Sequence, residues 1–185
     1  MKKMFLLVFL FSLLFSSEKL YAQNTGAYYG WLMAGYGYSQ SVDGSWSSTG
    51  PVKLTLGGLL WRYIGMELSA DGSWLNWGDK NISWTVDLKP YVLIQSTLGN
   101  SHNALIPYVG IAPVFSISGI DYNNVNYADK TGFDIGVAAK GGLRVKLVNF
   151  LMLGVGIEYV YHHNKLPATR DMSQFNAVVE AGFSW

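Results

Sequence analysis

The side chains able to do chemistry are few in this chain. Its 185 residues include three histidines (His102, His162, His163), no cysteine, and only 14% charged residues. Absence of cysteine excludes a disulfide framework, a thiolate metal site and a cysteine nucleophile. A zinc site draws three or four convergent ligands, and neighbours such as His162 and His163 point to opposite faces of a strand. No metal ligand set is therefore expected. Gly35-Tyr36-Gly37 and Gly154-Val155-Gly156 stop short of a dinucleotide fingerprint, so no cofactor is expected either. A formal net charge of +1 leaves no electrostatic footprint for nucleic acid.

What remains is a set of scattered acids and bases, and their spacing is informative. Eleven fall inside segments of alternating polarity: Lys53, Glu67, Asp71, Asp87, Lys89, Asp134, Lys140, Arg144, Lys146, Glu158 and Glu180. In every segment they share the phase of small and polar residues. Val52, Leu54 and Leu56 oppose Lys53 and Thr55; Ile82, Trp84, Val86 and Leu88 oppose Asp87 and Lys89; Leu151 to Tyr161 opposes Gly154, Gly156 and Glu158. Period two is the mark of a strand with two unlike faces. Eight such strands can be read between Ala27 and Trp185, the first (Ala27–Gln40) being the least regular. The links between them are Ser41–Gly50, Trp61–Tyr63, Leu75–Asn81, Gln95–Leu105, Gly119–Thr131, Val148–Phe150 and His163–Ser173.

The start of the chain has another character. Met1-Lys2-Lys3 is basic, Met4 to Phe15 is apolar apart from Ser12, and a more polar stretch ends in Leu20-Tyr21-Ala22. This pattern predicts a signal peptide over residues 1–22, leaving 23–185 as one domain. No later apolar run approaches the length of a membrane-spanning helix.

Two architectures suit an exported, apolar, alternating chain: a soluble β protein or a barrel in an outer membrane. A soluble sandwich would carry an ordinary solvated surface on its polar phase. Here that phase is mostly Gly, Ala and Ser, with isolated charges of both signs, as a crowded lumen requires. The apolar phase is therefore expected to face lipid. Aromatics on that phase form two belts, as amphipathic rings prefer at bilayer interfaces. Trp74, Trp84, Phe115, Phe133, Tyr161 and Phe175 lie near one set of strand ends, and Trp61, Tyr63, Phe150, Phe183 and Trp185 near the other. With both termini periplasmic, the second, fourth and sixth links should be short; Gln95–Leu105 is longer than that rule predicts. Pro90 and Pro113 are expected at a bulge or a strand end, because a closed barrel has no edge to host them.

These features resemble the small eight-stranded outer-membrane β-barrel family, the OmpA/OmpX-like group, over nearly all of Gly26–Trp185. Tyr108-Val109-Gly110-Ile111 and Gly141–Tyr161 carry the likeness. So does the ending Val179, Ala181, Phe183, Trp185, which looks like the signal read by the outer-membrane assembly machinery. The resemblance implies an all-β, transmembrane, antiparallel up-and-down barrel in the outer membrane of a double-membraned bacterium. It is expected to be a monomer in contact with lipid and lipopolysaccharide. Such a lumen is just wide enough for side chains to fill it, and its near-balanced charges are expected to plug it. The function read from this is structural or adhesive, through loops around Asp43–Thr49, Asp121–Lys130 and Asn164–Asp171 that could meet a host or surface ligand. A narrow channel for small solutes is the alternative. Some family members are lipid A acyl hydrolases, with a Ser two residues after a His. Here Asn164 and Lys165 follow His162 and His163 at that spacing, so no catalytic residue is expected, and His162 is read as a solvated or interfacial side chain.

Overall fold

The computed structural model describes residues 30–42, 44, 47–48, 50–61, 63–76, 82–99, 103–121, 130–148, 150–163 and 173–185. The expected signal peptide, Ala27–Tyr29, His102 and the greater part of the three long loops lie outside these residues. Eight long strands account for most of the described chain: β1 (Gly30–Ser41), β2 (Val52–Leu59), β3 (Ile64–Asn76), β4 (Ile82–Gln95), β5 (Ala104–Asp121), β6 (Lys130–Lys146), β7 (Leu151–His162) and β8 (Gln174–Ser184). Each is antiparallel to the next, and β8 pairs with β1 from Trp31↔Ser184 to Ser41↔Gln174. The sheet is thus a closed all-β barrel.

Closure requires a stagger. The register runs from Gly30 through Gly58, Met66, Val92, Ile111, Ala139, Tyr159 and Phe175 to Gln40, ten residues further along the first strand. Ten residues of stagger over eight strands fit a strand tilt of about 40°. The long connections gather at one end. The other end carries Gly30, Trp185 and the short turns, including the tight hairpin in which Trp61 N–H and Ile64 N–H bond each other's carbonyls at 2.9 and 3.2 Å. The longer fourth connection is an extended hairpin. Leu98–Gly99 pairs with Ala104–Leu105, and Gly99 takes φ +121°, a conformation open to glycine.

The prolines correct the expectation made for them. Neither marks a bulge or a strand end. Leu68↔Pro90 and Pro113↔Val137 are paired within continuous ladders. Between β4 and β5 the pairing stops at Leu88↔Phe115 and resumes at Val92↔Ile111 in unchanged register. Pro90 and Pro113 therefore face each other, and the two missing amides fall in a single gap in the ladder.

Three glycines are roofed by tryptophan. A Cβ on Gly57 would meet the Trp31 ring at 2.4 Å, one on Gly119 the Trp84 ring at 2.6 Å, and one on Gly30 the Trp185 ring at 2.7 Å. Trp31↔Gly57 and Trp84↔Gly119 are direct cross-strand pairs. Each indole lies flat over backbone that glycine would otherwise leave bare.

Candidate functional site

Strand alternation sends one phase into the lumen, and the eleven acids and bases read from the alternating segments follow it. None is more than 9% exposed. The opposite phase is a continuous apolar surface, with Ile157 70% and Ile111 67% exposed. Trp61, Tyr63, Trp74, Phe115, Phe133, Phe150, Tyr161, Phe175, Phe183 and Trp185 are exposed on that outside or at its rims, and Trp84 is half-buried over Gly119. The two aromatic groups stand about ten residues apart along tilted strands, roughly 25 Å.

The lumen is layered. At the short-turn end Trp31, Leu59, Leu93, Ile106 and Met152 are buried together with Met33. Above them Glu67 is the hub. It accepts from Trp31 Nε1 at 2.9 Å, from Lys140 Nζ and from Arg144 Nη2. The Arg144 guanidinium also lies 4.3 Å from the Tyr108 ring centre and 4.8 Å from that of Trp31, while Lys140 Nζ is 4.0 Å from that of Tyr91. These faces supply the negative potential that a desolvated cation needs. Glu180 Oε2 lies 3.8 Å from Arg144, and its Oε1 accepts from Thr55 at 3.2 Å.

The next layer is built on Glu158. It accepts from Lys53 at 3.2 Å, Lys89 at 2.8 Å, Asn176 at 2.9 Å and the Tyr91 hydroxyl. Lys89, fully buried, also donates to Asp71 at 2.5 Å. Nearest the long connections is a hydroxyl-rich layer. Ser116 and Thr85 donate to Asp87 Oδ1 at 2.7 and 2.9 Å, and Ser118 donates to Thr85 at 3.1 Å. His162 belongs here rather than in solvent or at an interface: it is 4% exposed, whereas its neighbour His163 is exposed. The period-two rule sends the ring inward, where Nδ1 meets Asp134 Oδ2 at 3.2 Å and Ser116 Oγ at 3.3 Å. Ser116 and Asp134 contact the same ring nitrogen, so they do not form a nucleophile–base–orienter relay, which needs both nitrogens.

Bulk is matched across the lumen. Tyr108 reaches from β5 towards β6 and β7, and a Cβ on Gly142 or Gly156 would lie 2.6 Å from its hydroxyl. Glycine is needed at both positions for that close approach. The cavity bounded by Lys53, Tyr108, Lys140, Glu158 and Glu180 holds about 10 Å³, room for about one water molecule.

The alternation rule left out the apolar lumen residues. Trp31, Met33, Tyr91, Leu93, Ile106, Tyr108, Val114, Met152 and Val160 all face inward. Their signal was present as short runs apolar on both phases, Tyr91–Ile94, Leu105–Ile106 and Leu151–Leu153, which mark a strand covered on both faces.

No protein-family model matches the sequence, and no curated protein matches it. Solved structures do match. Neisserial surface protein A is similar at 12% identity, over 86% of this chain and 97% of its own, with a TM-score of 0.66. Ail, the attachment invasion locus protein of Yersinia pestis, is similar at 13% identity over 86% and 99%, TM-score 0.58, and a further Ail structure holds the heparin analogue sucrose octasulfate. The outer membrane protein OprG from Pseudomonas aeruginosa is similar at 14% identity over 88% and 98%, TM-score 0.58. The likeness is one of fold: this chain has the closed eight-stranded barrel of small outer-membrane proteins.

Proposed function

We propose that the protein is an integral outer-membrane barrel whose role is structural or adhesive, with the lumen sealed and the long connections presented outward. The observation that carries this is the inverted distribution of polarity. The eleven acids and bases read from the alternating segments are all buried, while Ile111, Ile157, Val179, Phe133 and Trp74 are each at least 60% exposed. A soluble protein would bear the cost of that apolar surface in water; hydrocarbon removes it. The filled lumen supports a plug over a solute channel, because apolar side chains close the short-turn end and ion pairs occupy the middle. The likeness to Ail, an attachment invasion locus protein, supports the adhesive form of the reading, with a sulfated glycan as the first probe. No catalysis is part of it.

Expression on the bacterial surface tests the role. Cells bearing the protein should retain a sulfated glycan probe, and replacing residues 43–49, 122–129 and 164–171 by short Gly-Ser links should abolish retention without altering heat-modifiable gel mobility. Large, steady currents in planar bilayers would overturn the sealed lumen. Release of fatty acid from lipopolysaccharide by the purified protein would overturn the non-enzymatic reading.

A further inference from the structure

His162 stands between two carboxylates of other strands. Its ring is buried in the outermost lumen layer, with Nδ1 3.2 Å from Asp134 Oδ2 on β6 and Nε2 4.0 Å from Asp87 Oδ2 on β4. Ser116 on β5 also lies 3.3 Å from Nδ1, but it donates its own proton to Asp87 Oδ1, so towards the ring it accepts. Both carboxylates act as acceptors elsewhere as well. Asp87 Oδ1 accepts from Thr85 at 2.9 Å, and Asp134 Oδ1 accepts from the Ile135 N–H at 2.7 Å. A neutral imidazole has one N–H and one bare lone pair. Whichever nitrogen holds the hydrogen, the other aims its lone pair at a buried carboxylate oxygen. Only the imidazolium offers an N–H to both sides. Charge favours the same state. Among the described residues, Asp87 and Asp134 are joined one layer further in by Asp71 on β3 and Glu158 on β7, and the cations facing these four acids are Lys89 on β4 and Lys53 on β2. To this layer β1, β5 and β8 bring neutral groups such as Ser41, Ser116 and Gln174. A third cation at His162 narrows the imbalance of a set held out of water.

We propose that His162 is a proton-operated clamp: holding both ring protons it ties β7 to β4 and β6 beneath the long connections, and giving one up releases that end of the barrel. The ring is seated at the roots of two outward loops, since β6 begins at Lys130, where the third long connection ends, and β7 runs through His162 into the last one. Asp134 keeps 8% exposure, the path by which protons of the outer solution reach the ring. Such a clamp is closed in acid and opens as the pH rises, because the neutral ring sets a lone pair against one carboxylate and leaves the buried set one negative charge richer. The lower layers need no such proton: Glu158 is met by Lys53 and Lys89, and Glu67 by Lys140 and Arg144. Any effect of the clamp on adhesion rests on the loop role proposed above; the clamp itself does not.

Urea unfolding of the whole protein in lipid vesicles, read by gel mobility at pH 5, 7 and 9, tests the clamp. The ratio of folded to unfolded barrel should fall by about tenfold or more between pH 5 and pH 9. His162→Gln should remove that fall, and His163→Gln should keep it. Asp87→Asn should remove it too, since its amide donates to Nε2 and a neutral ring then satisfies both sides. Should a variant fail to fold, the ring ¹⁵N resonances of the unmodified protein decide instead: at pH 7 both nitrogens of His162 should be N–H, and one should lose its hydrogen as the pH is raised. A bare nitrogen on His162 at pH 7, or a fall with pH undiminished in His162→Gln, overturns the proposal. Cells that retain no glycan probe at any pH, with the fall and both N–H groups in place, overturn the adhesive reading and leave the clamp standing.

Discussion

Removing Glu158 should be the most damaging single change in the lumen. Four donors converge on its carboxylate, and Lys53, 4% exposed, makes its ion pair there at 3.2 Å. Glu158→Leu strands that ammonium out of water and leaves Lys89 with Asp71 and, at 4.0 Å, Asp87. Breaking a buried ion pair by deleting one partner costs about 3–5 kcal/mol. Glu158→Gln keeps an amide oxygen for Tyr91 and Asn176 and removes only the charge, so its cost should be about 1.5–3 kcal/mol. Lys53→Met combined with Glu158→Leu removes both members of one pair. It should be milder than the sum of the two single changes by about 0.5–3 kcal/mol, since apolar replacement of a whole buried pair is often close to neutral. Reversible urea unfolding of the barrel in lipid vesicles, followed by gel mobility and tryptophan fluorescence, measures all four chains. A loss below about 1 kcal/mol for Glu158→Leu, or strict additivity in the double variant, would refute the claim that these charges hold the barrel together as pairs.

Gly156→Ala should cost about 1–3 kcal/mol by overpacking against the Tyr108 hydroxyl. Tyr108→Phe in the same chain should restore much of it, because the next contact of the new Cβ is at 3.4 Å. Gly142→Ala should resist that rescue, since its Cβ would also meet the Val155 carbonyl at 2.4 Å; urea midpoints compare the three. Pro90→Ala gives β4 an amide facing β5 where the ladder is interrupted, and hydrogen exchange should find that new amide protected, with a gain of about 0.5–1.5 kcal/mol. Ile157→Arg, at the middle of the apolar belt, should lower stability in bilayers by about 2–4 kcal/mol. The same exchange at exposed His163 should change it by less than about 0.5 kcal/mol.

Much of this architecture was legible because two constraints act on every residue of a membrane barrel at once. A strand must alternate, and the hydrocarbon must be met by one phase only. Lys53, Glu67, Asp87, Lys140, Glu158 and Glu180 could therefore be placed on one side of the sheet from spacing alone. Their partners could not. Lys53 meets Glu158, 105 residues away, through the stagger of the closed sheet, and stagger is a property of all eight strands together. The apolar plug escaped for a different reason. Alternation assigns a hydrophobic residue to lipid by default, whereas Trp31, Leu93 and Ile106 sit on the lumen phase where nothing polar is needed. Pro90 and Pro113 were legible singly as ladder breakers, but that they break it at one place depends on the β4–β5 register.

Size complementarity across the lumen explains how so many charges can be enclosed in so narrow a barrel. Bulk comes from β4 and β5, in Lys89, Tyr91 and Tyr108. Room comes from Gly142 on β6 and from Gly154 and Gly156 on β7. Arg144 Cγ and Met33 Cε lie 3.3 Å from where a Cβ on Gly154 would stand. A glycine wall lets long cationic side chains cross the lumen to acids on distant strands, so the ion pairs and the glycines are one device. The device fades towards the long connections. There Ser39, Ser41, Ser73, Ser116 and Ser118 replace the large side chains. The lumen therefore passes from large, ion-paired side chains at the short-turn end to small hydroxyl side chains beneath the long connections.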